Sequence, residues 1–67
     1  MSVSNKEHIY TYRFKLAYAN VPMSLRREIC TVIDGAPMTW RVANLEVTNN
    51  TDIGYKIIEQ MKRLDLI

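Results

Sequence analysis

The sequence predicts a mixed α+β fold in one small domain. Three observations predict it. An aromatic-rich stretch near the N-terminus alternates in the period of a strand, and the last third of the chain carries an apolar stripe at helical spacing. The only glycines and prolines, Gly35, Gly54, Pro22 and Pro37, join the Asn49-Asn50-Thr51-Asp52 cluster in dividing the chain into four segments.

The first segment, about residues 8–18, reads as a β-strand preceded by a flexible N-terminus at residues 1–7. Tyr10, Tyr12, Phe14, Leu16 and Tyr18 fall on one face, and Thr11, Arg13, Lys15 and Ala17 on the other. The second, about residues 24–34, reads as a helix capped by Ser24. Leu25, Ile29, Val32 and Ile33 form its stripe, and Asp34-Gly35 ends it. A strand competes here, because Ile29-Cys30-Thr31-Val32-Ile33 is rich in β-branched residues and Asp34-Gly35 is also a hairpin signal. The third segment, residues 39–47, is ambiguous: a helix leaves Trp40 and Val47 off its stripe, and a strand breaks its alternation between Val42 and Ala43. The fourth, about residues 52–64, is a helix capped by Thr51, with Ile53, Ile57, Ile58, Met61 and Leu64 on its stripe. Asp52 stands at its positive end, Lys62 and Arg63 at its negative end, and Glu59 and Arg63 are spaced to pair.

Composition excludes several classes of function. A chain of 67 residues with 48% hydrophobic and 24% charged residues is globular rather than disordered. Cys30 is the only cysteine and His8 the only histidine, so neither an internal disulfide nor a four-ligand zinc site can form. No run approaches the ~20 apolar residues that span a bilayer. The polar N-terminus has no signal-peptide core, so a cytoplasmic location is expected. There is no phosphate-binding glycine loop, no metal-ligand spacing and no partner set for His8 to act as acid or base. We therefore expect no enzyme activity, cofactor, metal or small-molecule substrate.

Two ways of binding remain. A domain this small supplies only about 3–5 kcal/mol from its own core, and the aromatic face needs a cover. That favours a non-catalytic interaction or regulatory module, acting on a protein partner or on itself as a homodimer. Its expected interface is Tyr10, Tyr12, Phe14, Leu16 and Tyr18, used as a strand edge that recruits another strand.

The alternative is nucleic acid. Residues 1–41 carry a balance of +3 and residues 42–67 a balance of −1, which permits an acidic partner. Leu25-Arg26-Arg27-Glu28-Ile29, then Asp34-Gly35-Ala36-Pro37-Met38-Thr39 and Trp40-Arg41-Val42-Ala43, resemble a first helix, a turn and the start of a second helix. Asp52 to Ile67 resembles a recognition helix, with aspartate at 65 where glycine is common and with few basic residues. The likeness is to the helical part of winged-helix or helix-turn-helix domains. It implies a small DNA-binding regulator in which Thr51, Asp52, Tyr55 and Lys56 meet bases and phosphates. Arg26, Arg27, Arg41, Lys62 and Arg63 would complete the contact surface.

Overall fold

A computed structural model describes residues 5–67, with side chains from Ile9 onward. The chain runs helix, hairpin, helix, helix: α1 at Asn5–Ala19, a 3-10 turn at Met23–Leu25, β1 at Ile29–Ile33, β2 at Ala36–Thr39, α2 at Trp40–Thr48 and α3 at Asp52–Arg63. The α+β class stands, and so does the C-terminal helix. Residues 39–47, ambiguous in sequence, are helical apart from the cap, Thr39.

Two assignments are corrected. Residues 8–18 belong to a helix, not a strand. Every fourth residue is shared by the two periods: Tyr10, Phe14 and Tyr18 stack on one side of a helix as readily as on one side of a strand. Phe14 is fully buried, and Tyr10 and Tyr18 pack against the core beside it. The expected flexible N-terminus lies partly outside the described residues, and Asn5–Glu7 open α1. Residues 24–34 are not a helix either. The β-branched run Ile29–Ile33 is β1, and Asp34-Gly35 is the hairpin turn. Asp34 (φ 52°) and Gly35 (φ 81°) both take left-handed backbone, as a two-residue type I′ turn requires.

The hairpin is antiparallel, with Ile33 opposite Ala36, Val32 opposite Pro37 and Thr31 opposite Met38, and a bulge between Ile29 and Thr31. Closing the turn with Ile33 and Ala36 makes Val32 and Pro37 the non-bonded pair. The missing N–H of Pro37 therefore costs the ladder nothing.

Helices α2 and α3 are capped alike. The Thr39 hydroxyl accepts from the Val42 N–H at 3.1 Å, and the Thr51 hydroxyl from the Gly54 N–H at 2.9 Å. Each helix also ends in the same reverse turn. Thr51 N–H donates to Glu46 C=O (3.2 Å) and Asn50 N–H to Val47 C=O (3.2 Å). Leu66 N–H donates to Met61 C=O (2.8 Å) and Asp65 N–H to Lys62 C=O (3.0 Å). The residues that swing left-handed there are Asn50 (φ 54°) and Asp65 (φ 63°). Only Asn49, Asn50 and Thr51 separate α2 from α3.

The core is Phe14 from α1, Ile33 from β1, Ala43 and Val47 from α2, and Ile57, Ile58 and Met61 from α3. Trp40 tilts against Phe14 with ring centroids 6.1 Å apart. Gly54 lets α3 approach α2 closely, since a Cβ there would sit 2.6 Å from the Glu46 carbonyl carbon and 2.9 Å from the Val47 nitrogen.

Candidate functional site

The outward face of α1 carries a stripe of exposed apolar side chains. Ile9 is 46% exposed, Tyr12 64% and Leu16 48%. Their spacing, i, i+3 and i+7, puts them on one stripe, and at about 100° per residue that stripe lies opposite Phe14. The helix is thus apolar on two opposed sides, one packed and one bare. An alternating sequence produces this arrangement. Positions 10, 14 and 18 turn inward while 12 and 16 turn outward.

Of the five predicted interface residues, Phe14 is sealed in the core and Tyr10 and Tyr18 are half-buried. Tyr12 and Leu16 remain available. The edge-strand mechanism does not apply, because this segment has no strand edge to offer. Ile9 was missed; the period-2 reading placed it on the polar face.

Side chains around α1 hold it to the body. Lys15 donates to Asn44 Oδ1 at 2.8 Å and to the Thr48 hydroxyl, crossing to α2. Arg26 closes the C-terminal end. Its guanidinium lies 4.3 Å from the Tyr18 ring centroid, and it donates to the carbonyls of Val21 (3.1 Å) and Tyr18 (3.4 Å). A cation is favoured where helix carbonyls end unpaired. The Lys62 ammonium sits 4.8 Å from the Tyr10 ring centroid and 3.7 Å from Glu59, so Glu59 meets Lys62 rather than Arg63.

The residues assigned to a nucleic-acid surface do not come together in one place. Arg26 and Lys62 are spent on the α1 contacts just described. Arg27 and Arg41 are exposed beside one another's strands of chain, where the Arg41 N–H donates to the Arg26 carbonyl at 2.9 Å. Tyr55, Lys56 and Arg63 line a shallow depression of about 220 Å³ between α3 and β1, together with Val32, Asp34 and Glu59. Lys56 pairs with Asp34 at 2.7 Å, which raises its pKa. Two carboxylates and two cations line that depression, with Asp34 held by Lys56 and Glu59 by Lys62. Thr51 is occupied as the α3 cap, its hydroxyl also meeting the Glu46 carboxylate, and Asp52 is exposed in the first turn.

The Cys30 thiol is half-buried, and burial pushes its pKa up. That opposes nucleophilic use, which needs the thiolate. Among the described residues no three His, Cys, Asp or Glu side chains gather where they could hold a metal ion. The His8 side chain lies outside the described ones. Among the described residues no helix is long and apolar enough to cross a membrane. No family model, no curated protein and no solved structure matches the chain.

Proposed function

We propose that this chain is a non-catalytic interaction module that binds a protein partner, or a second copy of itself, through the outward face of α1. One observation carries the reading: Ile9, Tyr12 and Leu16 stand bare on the side of α1 opposite the packed Phe14. Exposed single apolar side chains are ordinary, but three aligned along one helix, in a domain whose buried core among the described residues is seven side chains, are not. Covering them returns roughly 25 cal/mol per Å² of apolar surface, to a domain too small to hold much stability alone. A free thiol at Cys30 suits the cytoplasm, where we place the interaction.

The test is the doubly changed Tyr12→Asp, Leu16→Asp chain. If the wild type forms a dimer or captures a partner in solution, the variant stays folded by circular dichroism and loses that association. A wild type that remains monomeric at millimolar concentration, with amide signals of residues 9–16 unmoved in cell extract, ends the proposal.

A second reading rests on a different observation. Residues 40–48 and 52–63 form two helices joined by a three-residue turn, and a turn of that length is one feature of helix-turn-helix DNA binders. In this reading α3 is the recognition helix, presenting Tyr55, Lys56 and Arg63, with Arg27 and Arg41 on phosphates. The small DNA-binding regulator is the alternative function, and a gel-shift with mixed-sequence duplex distinguishes it.

A further inference from the structure

The hairpin has an open strand edge, and it belongs to β1. With β1 and β2 paired only to each other, each strand keeps one free edge. Ile33 opposes Ala36 and Thr31 opposes Met38 as the bonded pairs, so the backbone groups of Val32 and Pro37 point outward, to opposite edges. On the β2 edge that position is a proline. It has no N–H to give, which blunts the edge. On the β1 edge it is a valine, whose N–H and C=O both face outward. Among the described residues neither meets a backbone partner outside the ladder.

The depression beside α3 opens off this β1 edge. Its lining takes Val32 and Asp34 from β1 and its turn, and Tyr55, Lys56, Glu59 and Arg63 from α3, with nothing from β2. From Tyr55 to Arg63 the α3 wall spans about 12 Å of helix axis, the reach of about four residues of extended chain. At the turn end Asp34 is held by Lys56 at 2.7 Å, and Glu59 meets Lys62 at 3.7 Å. Arg63, about two helical turns past Lys56, has no carboxylate partner among the described residues. The groove therefore combines an unpaired strand edge with one uncommitted cation.

We infer that this groove takes a single extended, acidic segment of a partner protein, added as a third strand to the β1 edge. The backbone of the segment bonds to the Val32 N–H and C=O, and an aspartate or glutamate side chain meets Arg63. This surface is separate from the α1 stripe, and neither reading depends on the other. A second copy's β1 fits worse, because its own α3 comes with it along the same edge. A partner helix fits worse too, because its backbone groups are already bonded within the helix and offer Val32 nothing.

The test titrates three short, end-blocked peptides of alternating valine and threonine into the wild-type chain at low salt, read by amide shifts. One has a central glutamate and the second a lysine in its place. The third is the glutamate peptide N-methylated along its centre, so it keeps its side chains and loses its donors. The glutamate peptide binds at least tenfold tighter than the other two. It shifts Val32, Tyr55 and Arg63 and leaves Tyr12 and Leu16 unmoved. Arg63→Ala removes its advantage over the lysine peptide. Val32→Pro deletes the outward N–H at a position that lends none to the ladder, and it abolishes binding in a chain still folded by circular dichroism. Where that variant does not fold, the methylated peptide decides alone. Equal binding of the methylated peptide overturns strand addition, and equal binding of the lysine peptide overturns the acidic occupant. Shifts confined to α1, shifts at Arg63 with duplex DNA and no peptide, or no peptide binding at millimolar concentration overturn the whole inference. The α1 reading stands or falls separately, on the Tyr12→Asp, Leu16→Asp chain.

Discussion

At Gly54 the backbones of α2 and α3 touch. A methyl group there meets the Glu46 and Val47 backbone rather than a movable side-chain tip. Alanine is the better helix former by about 1 kcal/mol, but forcing packed backbones apart costs about 1–3 kcal/mol. Because neither backbone can yield without shifting a helix, the clash wins. Gly54→Ala is expected to lower the denaturation midpoint, with a net loss of up to about 2 kcal/mol in a urea titration; a gain in stability would refute the close approach. Asp65 makes the opposite case. It takes left-handed backbone (φ 63°) after α3, in the position glycine favours, and it puts a negative charge at the carbonyl end of the helix. Asp65→Gly is expected to raise stability by about 0.5–1 kcal/mol, seen as a higher midpoint in the same titration. The sequence already showed aspartate where the helix-turn-helix pattern favours glycine, and the backbone at 65 keeps the conformation that glycine would adopt freely.

Among the elements, α1 holds both the clearest failure of sequence reading and the candidate site. Phe14 and Leu16 looked equivalent in an alternating strand, and in the helix they part. Phe14→Ala removes a fully buried ring, at a cost of about 3–5 kcal/mol, enough to unfold a domain of this size. Leu16→Asp changes a half-exposed position and is expected to leave thermal unfolding within a few degrees of wild type while abolishing association. Equal loss of fold in both variants would restore a single buried face. What the sequence made legible was whatever depends on local chemistry. Thr51, Asp52, Lys62 and Arg63 bracket α3, and the β-branched run with Asp34-Gly35 carries the hairpin signal, although the helical spacing of Leu25, Ile29, Val32 and Ile33 outweighed it. What was hidden depends on tertiary partners. Alternation over residues 10–18 is compatible with a strand buried on one face or a helix apolar on two, and only the presence of α2 and α3 against Phe14 decides. The cations were equally opaque. Nothing in the spacing of Arg26 or Lys62 tells that each would fold back onto a tyrosine of α1.

For the molecule as a whole, the competition between a protein partner and DNA turns on how many cations remain to meet phosphates. Lys15, Arg26, Lys56 and Lys62 are engaged within the fold, and the depression beside α3 balances Lys56 and Arg63 against Asp34 and Glu59. Arg27, Arg41 and Arg63 are left as the exposed arginines of the proposed DNA surface. Each phosphate neutralised contributes about −0.9 to the slope of log affinity against log salt, so three cations set a slope no steeper than about −3 for one copy. A single copy bound to duplex DNA is therefore expected to show weak affinity and a shallow salt dependence, and Arg63→Ala should flatten the slope by about one cation's share. The α1 docking reading gives another pattern. Burial of Tyr12 and Leu16 is apolar and survives high salt. Fluorescence anisotropy with labelled duplex, from 50 to 300 mM salt, measures the slope directly. A value steeper than about −5 exceeds what these three arginines can supply. It would mean that cations outside this surface, or more than one copy, engage the duplex.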